Sequence, residues 1–583
     1  MNTKATPRGQ SRRDARPARQ YACLLVPLVL CTSAMAGTRV PDITLGYELP
    51  ERRDPLAVLF REELSFKDCL DILKRAESDP EVPAVLLRVQ PLLVGTARVQ
   101  EVRAAIAAFR KSGKKAYSYI ETGTTTTYLV ASSCDQVYIA PTGVLQLTGG
   151  RIEVTFYKGL FDKLGIRADL IQVGEAKGAE EPFTRTEMSE PFKATLQGLL
   201  EEIYSEVTTA ISTSRSLSKE ETAKRIDRGL FSARDAKAAR LVDELAYSSE
   251  LQALLAKQLG LAVRLDPKYS KSGTDLTRYV DNPLRLFSDI FSKIKQSEIA
   301  GETPVIALVY VVGPIVPGRP NAIGLGNLAV STEIVQALEE AAGDPKVRAI
   351  ILRVESPGGA VVAGDQIRKA VEDAAKRKPV VASFSDLAAS AGYEIAVNAT
   401  AIVASESSIV GSIGVIGGKV VLKGLYDKIG VTKQSLSRGA NANIFSDYGE
   451  FTPQERAAFT RLCQEYYEDF VQKVAAGRKL TPADADRCAH GRLWSGRQAK
   501  KLGLVDELGG LDRAISIAKE KAKLAAAAPV TLRAYPAPRG LAGFLEGLAS
   551  SFSPLDPYRD AVILHTVFQY GPAYILPYSI EVR

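Results

Sequence analysis

Two hydrophobic rhythms alternate along this chain. Compact runs of β-branched and leucine residues occur at 84–89 (AVLLRV) and 349–354 (AIILRV), and further strand-like stretches at 115–120, 137–139, 380–384 and 402–404. Runs of this length suit strands buried on both faces. Ahead of the two longest runs, 66–76 and 332–342 place apolar residues every third or fourth position, the period of a helix with one buried face. The alternation predicts α/β domains with largely parallel sheets.

The pattern also repeats. DPEVPAVLLRV (79–89) returns as DPKVRAIILRV (344–354), and KGLFDKLGI (158–166) returns as KGLYDKIGV (423–431), both 265 residues later. Further on the offset slips to 263, where GLFSARDAKAARLVDEL (229–245) pairs with RLWSGRQAKKLGLVDEL (492–508). A repeat this long gives each copy its own core, so an internal duplication into two tandem domains is expected rather than a solenoid. The expected boundaries are a lysine-bearing N-terminal domain over 50–263, a linker over 264–302, and a serine-bearing C-terminal domain over 303–525. An Ala/Pro-rich extension, 526–583, ends in an apolar stretch.

The copies differ in ways that matter chemically. SPGG (356–359) falls opposite Pro91, Leu92, Leu93 and Val94, so the first copy lacks that glycine turn. Ser390, in DLAASAGY, falls opposite Thr125, and Ser412, in VGSIGV, opposite Leu147. Conversely Lys177, in VGEAKGAEEPF, falls opposite Ala442. One copy keeps a hydroxyl and its glycines; the other keeps an amine. Complementary loss after duplication would leave one working site built from two halves.

Composition narrows the setting. The chain of 583 residues carries a net charge of +8, but residues 1–36 hold six basic side chains against Asp14 alone. No basic cluster with interleaved aromatics lies elsewhere, which argues against a nucleic-acid partner. Residues 1–36 read as an export signal: a basic region, an apolar run over 21–30, and small residues ending Ala34-Met35-Ala36. Cleavage after Ala36 would place the protein in the periplasm or on the periplasmic face of the inner membrane. An uncleaved anchor is the competing reading, although the run contains Pro27 and is shorter than the roughly 20 residues a spanning helix needs. Lipid attachment at Cys31 is weakened by Leu30, and Arg12-Arg13 lacks the apolar follow-on of a twin-arginine signal. The six cysteines show no CxxC and no zinc spacing, so they point to no metal site, and buried small hydrophobes are the plain reading.

A serine needs a base to become a nucleophile. The chain has only two histidines, His490 and His565, and neither lies in a triad motif. Lysine can serve if burial disfavours its ammonium form. Lys177 sits between Ala176, Gly178 and Ala179, which allow close approach, although Glu175, Glu180 and Glu181 must then point away. Ser390 lies among Ala388, Ala389, Ala391 and Gly392, where a strand-to-helix turn would present its hydroxyl. The N–H groups of Ala391 and Gly359 could then form an oxyanion hole, with Ser412 orienting the lysine. Taken singly, each residue has a plain reading: a helix-packing serine, a solvated lysine, a turn, a backbone cap. The joint pattern across a faithful repeat is what favours catalysis.

SPGG, AASAGY and GSIGV in one copy, with a lysine in AKGAEEPF of the other, resemble the signal peptide peptidase A (protease IV) family in its long, double-domain form. The resemblance spans about residues 50–525. It implies a ClpP/crotonase-like α/β fold, Ser390 as nucleophile, Lys177 as general base, Ser412 as the lysine's partner, and Gly359 with Ala391 as oxyanion donors. It also implies cleaved signal peptides as substrates, no cofactor, a membrane-associated setting and a homo-oligomer, a tetramer. Ala391 departs from the glycine common at its position. Two other classes stay open on the residues alone: a non-catalytic assembly scaffold, and a crotonase-type acyl-CoA enzyme, which an export signal disfavours.

Overall fold

The computed structural model describes residues 37–52, 64–270, 303–318, 328–536 and 572–575. The first copy contributes β1 (Thr38–Leu45), β2 (Ala84–Val89), β3 (Lys115–Gly123), β4 (Gln136–Gln146), β5 (Arg167–Val173), β6 (Leu230–Ser232), β7 (Glu244–Leu245) and β8 (Val263–Asp266). The second copy begins with β9 (Val305–Val312), β10 (Ile315–Val316), β11 (Ala329–Val330), β12 (Val347–Ser356), β13 (Gly358–Ala360), β14 (Val380–Ala389) and β15 (Ala401–Ala404). It continues with β16 (Ile409–Gly411), β17 (Val415–Val421), β18 (Leu493–Ser495), β19 (Glu507–Leu508), β20 (Thr531–Tyr535) and β21 (Ala573–Ile575).

Two large sheets follow the same plan. In the first the order is β6-β4-β3-β2-β1-β8, and in the second β18-β16-β14-β12-β9-β20. Neighbours within each sheet are parallel except at the β4/β6 and β16/β18 edges. This is the tandem α/β architecture the repeat predicts. The six short runs identified from hydrophobicity all fall within strands.

The helices are set by caps and stripes. Phe66–Ser78 begins at Ser65, whose side chain caps Asp68 N–H while Asp68 reaches back, and it buries Phe66, Cys69, Leu70, Leu73 and Ala76 on one face. Each such large apolar side chain taken from water is worth about 1.5–3 kcal/mol. The cysteines follow the plain reading: Cys69, Cys134, Cys463 and Cys488 are buried and unpaired. Burial pushes the Cys69 and Cys134 thiols up to about 12, so they stay protonated.

Outside the expected boundaries, β1 begins before residue 50, β8 lies at the start of the 264–302 stretch, and β20 and β21 lie beyond 525. The expected signal at 1–36, most of the expected linker and His565 lie outside the described residues. Among the described residues no helix is long and apolar enough to cross a membrane.

The copies are joined in two ways. Arg353, fully buried, donates to Glu51 and Glu101 at 2.8 Å each and to Ser383 at 3.0 Å. Asp386 accepts from the N–H groups of Gly95 and Arg98, capping the first-copy helix Thr96–Lys111 from the other domain. Truncating one partner of such a buried pair typically costs about 3–5 kcal/mol. The second junction is a third sheet, ordered β11-β10-β13-β21-β17-β5. Here β5 of the first copy runs antiparallel to β17 of the second, from Val173↔Val415 to Arg167↔Val421. Lys177 lies four residues past the end of β5, so this pairing carries the lysine into the other domain.

The repeat counterparts of those two strands are unpaired. Residues 150–156, opposite β17, and 432–438, opposite β5, form no strand. Among the described residues this strand pairing between the copies occurs once, and neither of these two edges has a strand partner.

Candidate active site

Strand β14 ends at Ala389 and the short helix Ala391–Glu394 begins one residue later. Ser390 makes the turn between them with φ 58° and ψ −121°. A non-glycine residue in that region costs about 1–3 kcal/mol and persists only where its surroundings enforce it. Those surroundings are visible. Ser390 N–H donates to Gly411 O at 2.6 Å, and the Ser390 carbonyl accepts from Tyr393 and Glu394. Gly392 lets the helix close onto the SPGG turn, since a Cβ there would stand 2.7 Å from Ser356 O. The turn is held in its own way: the Ser356 hydroxyl donates to Gly313 O at 2.8 Å and accepts from Gly358 N–H at 3.2 Å.

The hydroxyl of Ser390 is not presented to solvent, as a bare strand-to-helix turn would suggest; the residue is fully buried. Lys177, also fully buried, covers it. Its Nζ lies 2.6 Å from Ser390 Oγ, 2.7 Å from Ser412 O and 3.0 Å from Ser412 Oγ. Lys177 and Ser390 therefore meet within a single chain, across 213 positions of sequence.

Burial alone pushes the Lys177 ammonium well below the usual amine range, with no carboxylate opposing it. Two of the three flanking acids are engaged elsewhere. Glu175 faces Arg492 at the surface, and Glu181 accepts from Ser189 N–H at 2.8 Å. Glu394, four residues beyond Ser390, pairs with Lys473 at 3.2 Å, and burial raises its carboxyl to about 7. A neutral amine has two N–H groups and one lone pair. The Ser412 carbonyl can only accept, so it takes one N–H; the Ser412 hydroxyl can take the other. The lone pair is then left for the Ser390 O–H. This arrangement can deprotonate a serine without histidine.

Gly359 lies in β13 and Ala391 opens the helix that packs against that strand. As the first residue of a helix, Ala391 has an N–H without an intrahelical acceptor. The His490 ring turns elsewhere, with Nε2 3.2 Å from Asp486 and Nδ1 3.5 Å from the Tyr467 hydroxyl. Among the described residues no group of His, Cys, Asp or Glu is arranged to hold a metal.

Sequence reasoning missed the loop 489–492, which braces the site through its backbone. His490 O accepts from Ala176 N–H, Arg492 O from Ser412 N–H, and Gly491 N–H donates to Ile413 O. Gly491 has φ 77°, and a Cβ on it would fall within the Lys177 backbone, 2.6 Å from Lys177 Cβ. A copy-to-copy comparison carries the signal, because Arg228 stands opposite Gly491 at the 263-residue offset. Strain collects here too. Of seven described non-glycine residues with positive φ, Ser390, Ser412 and His490 ring the site.

Comparison with known proteins supplies the family. The model of peptidase family S49 matches twice, over residues 108–262 and 372–525, so Lys177 falls in one match and Ser390 with Ser412 in the other. The chain is 31% identical to a chloroplastic serine protease SPPA of Arabidopsis thaliana, over 86% of this chain and 72% of that one. It is 32% identical to protease 4 of Salmonella typhi, over 79% of this chain and 73% of that one. A putative signal peptide peptidase SppA of Enterococcus faecium is 33% identical over 31% of this chain and 53% of its own. With both halves of the duplication matched and relatives aligned over most of its length, this chain belongs to peptidase family S49 and is a serine protease.

Proposed function

We propose that the protein is a Ser390–Lys177 dyad endopeptidase that degrades cleaved signal peptides and other apolar peptides in extended conformation. The carrying observation is a buried, carboxylate-free lysine whose Nζ lies 2.6 Å from Ser390 Oγ. Neutral Lys177 takes the Ser390 proton as Oγ attacks the peptide carbonyl, while N–H groups of Gly359 and Ala391 hold the oxyanion. The lysine then gives that proton to the leaving amine. Water, deprotonated by Lys177, then attacks the acyl-enzyme, and the lysine returns that proton to Ser390 Oγ as the acid product leaves. Ser412 keeps Nζ aimed at Ser390 through its carbonyl and hydroxyl. A fluorophosphonate probe tests the assignment: it should label the tryptic peptide holding Ser390 and leave Ser390→Ala unlabelled. Labelling elsewhere, or undiminished in Ser390→Ala, would refute it.

The substrate class rests on the sequence resemblance and on the name borne by the Enterococcus relative. Export to the periplasm or its membrane face rests on the composition of residues 1–36.

We also propose a homo-oligomer, a closed ring of four, built by repeating the β5/β17 junction between chains. Residues 151–157 alternate exposed and half-buried like a strand without a partner. On the other edge Leu436 is 100% exposed, with Ile429 and Val431 also open to solvent. Exposed apolar edges invite strand pairing, and head-to-tail contacts of this kind close into rings. Carrying the Gly418↔Leu170 pairing over by the repeat offset puts Glu153 opposite Ser435 of the next chain. The double variant Glu153→Cys/Ser435→Cys should therefore form disulfide-linked oligomers on mild oxidation, and neither single variant should. Leu436→Asp should shift the mass in solution to the monomer. Thr125 and Ala442 would face each other at these junctions, so only the junctions within chains would be active.

A further inference from the structure

The third sheet contains a strand that belongs to neither repeat. Strand β21, Ala573–Ile575, lies between β13 and β17 and is antiparallel to both. Its register sets Ile575 opposite Gly358, Tyr574 opposite Gly359 and Ala573 opposite Ala360, with Ala573 also opposite Ile416. Without it, β13 and β17 would each present one open edge, β10 and β5 occupying their other sides. Two facing edges make a slot for one extended peptide, which would bind by adding a strand through its backbone hydrogen bonds.

The slot runs past the catalytic groups. Gly359 is the oxyanion donor proposed above, and β17 starts three residues after Ser412. Ala573 is fully buried among Ala179, Val316, Val330 and Ile416, with Leu170 and Leu328 packed against them. Ala179 is two residues beyond Lys177, so one wall of this pocket is the lysine loop itself. Pro572 is buried next to it, over Gly417, where a Cβ would stand 3.1 Å from Pro572 Cα.

We propose that Pro572–Ile575 is an intrachain pseudosubstrate: the protein's own C-terminal segment fills the groove that peptide substrates must enter, with Ala573 in an apolar pocket sized for a small side chain. The proposal rests on the Ser390–Lys177 reading and adds a regulator and a specificity element to that site. The tether makes occupancy effective. A segment joined to the body through residues 537–571 meets the groove at an effective concentration of about a millimolar, so even a weak intrinsic affinity near 100 µM would leave only about a tenth of the grooves open. Substrate must displace the segment, which makes the inhibition competitive. A peptide with a small residue where Ala573 sits fits the same pocket, and a charged one does not.

The test uses the full chain and its Ala573→Arg variant, which puts a charge into the apolar pocket. The expected result is a rise of about tenfold in kcat/KM for a fluorogenic apolar peptide, carried by KM, with an equal rise in the rate of fluorophosphonate labelling. A synthetic peptide of residues 570–578 should then inhibit Ala573→Arg competitively, and the same peptide with arginine at position 573 should not. In case the variant misfolds, a specific protease site placed within 537–571 and cut after assembly should release the same activation from a folded preparation. Unchanged hydrolysis and labelling after release, with no inhibition by the peptide, would overturn the pseudosubstrate while leaving the protease reading intact. If released protein neither hydrolyses peptide nor labels at Ser390, both readings fall together.

Discussion

Lys177→Met should lower kcat/KM by about 10³-fold or more while leaving assembly unchanged, because it removes the one base that the described residues place against Ser390 and keeps the buried volume. The pair should behave as one unit. Ser390→Ala combined with Lys177→Met should be no slower than the worse single variant, since neither residue works without the other. A product of the two single losses would contradict the dyad. The pH profile adds a second reading. Lys177 must be neutral to act, so kcat/KM should rise with pH along a limb set by an amine held well below its usual range.

The same depressed value makes a stability statement. Between the folded pKa of Lys177 and about 10.4 in the unfolded chain, the unfolded state binds the extra proton. Stability therefore rises with pH across that window and is lost as pH falls toward the folded value. Lys177→Met removes this dependence. The melting temperature of the wild type relative to the variant should climb as pH increases through the window. A constant difference would mean the lysine is charged in the folded protein.

Gly491→Ala is expected to lower kcat/KM by about 100-fold although it touches no substrate. Its Cβ would stand 2.6 Å from Lys177 Cβ and closer still to that residue's backbone, so the lysine loop must shift. A displacement of about 1 Å in a reacting group is enough for a loss of this size. Gly260→Ala is the control. Gly260 has φ 68°, close to the 77° of Gly491, but a Cβ there meets nothing within 4 Å. It carries the same left-handed strain of about 1–2 kcal/mol without the collision. Equal activity losses in both would assign the effect to strain and remove Gly491 from the site.

Much of this protein was legible in the amino-acid order because two of its signals need no knowledge of tertiary contacts. A buried strand shows itself as a short apolar run, and AVLLRV became β2 while AIILRV became the middle of β12. The duplication supplied the other signal. Comparing the copies isolated Ser390, Ser412 and Lys177, and in the fold both serines lie within hydrogen-bond distance of Lys177 Nζ. No periodicity marked β13 or β21, which are three residues long and contain glycines or lie in a tail.

The tertiary structure decided what depends on partners distant in sequence. It buried Ser390 under Lys177, turned Glu175 and Glu181 away from that lysine, and ran the loop 489–492 beneath both. Burial is a property of what packs around a group, so a lysine flanked by glutamates reads as solvated until its surroundings are known. Pairing of β5 with β17 likewise joins segments that only the folded chain brings together, and β21 reaches the groove from the far end of the chain. Sequence order determined which residues survive in each copy. Their chemistry was decided by a sheet formed between the copies, because only there does a lysine lose its water and meet a serine.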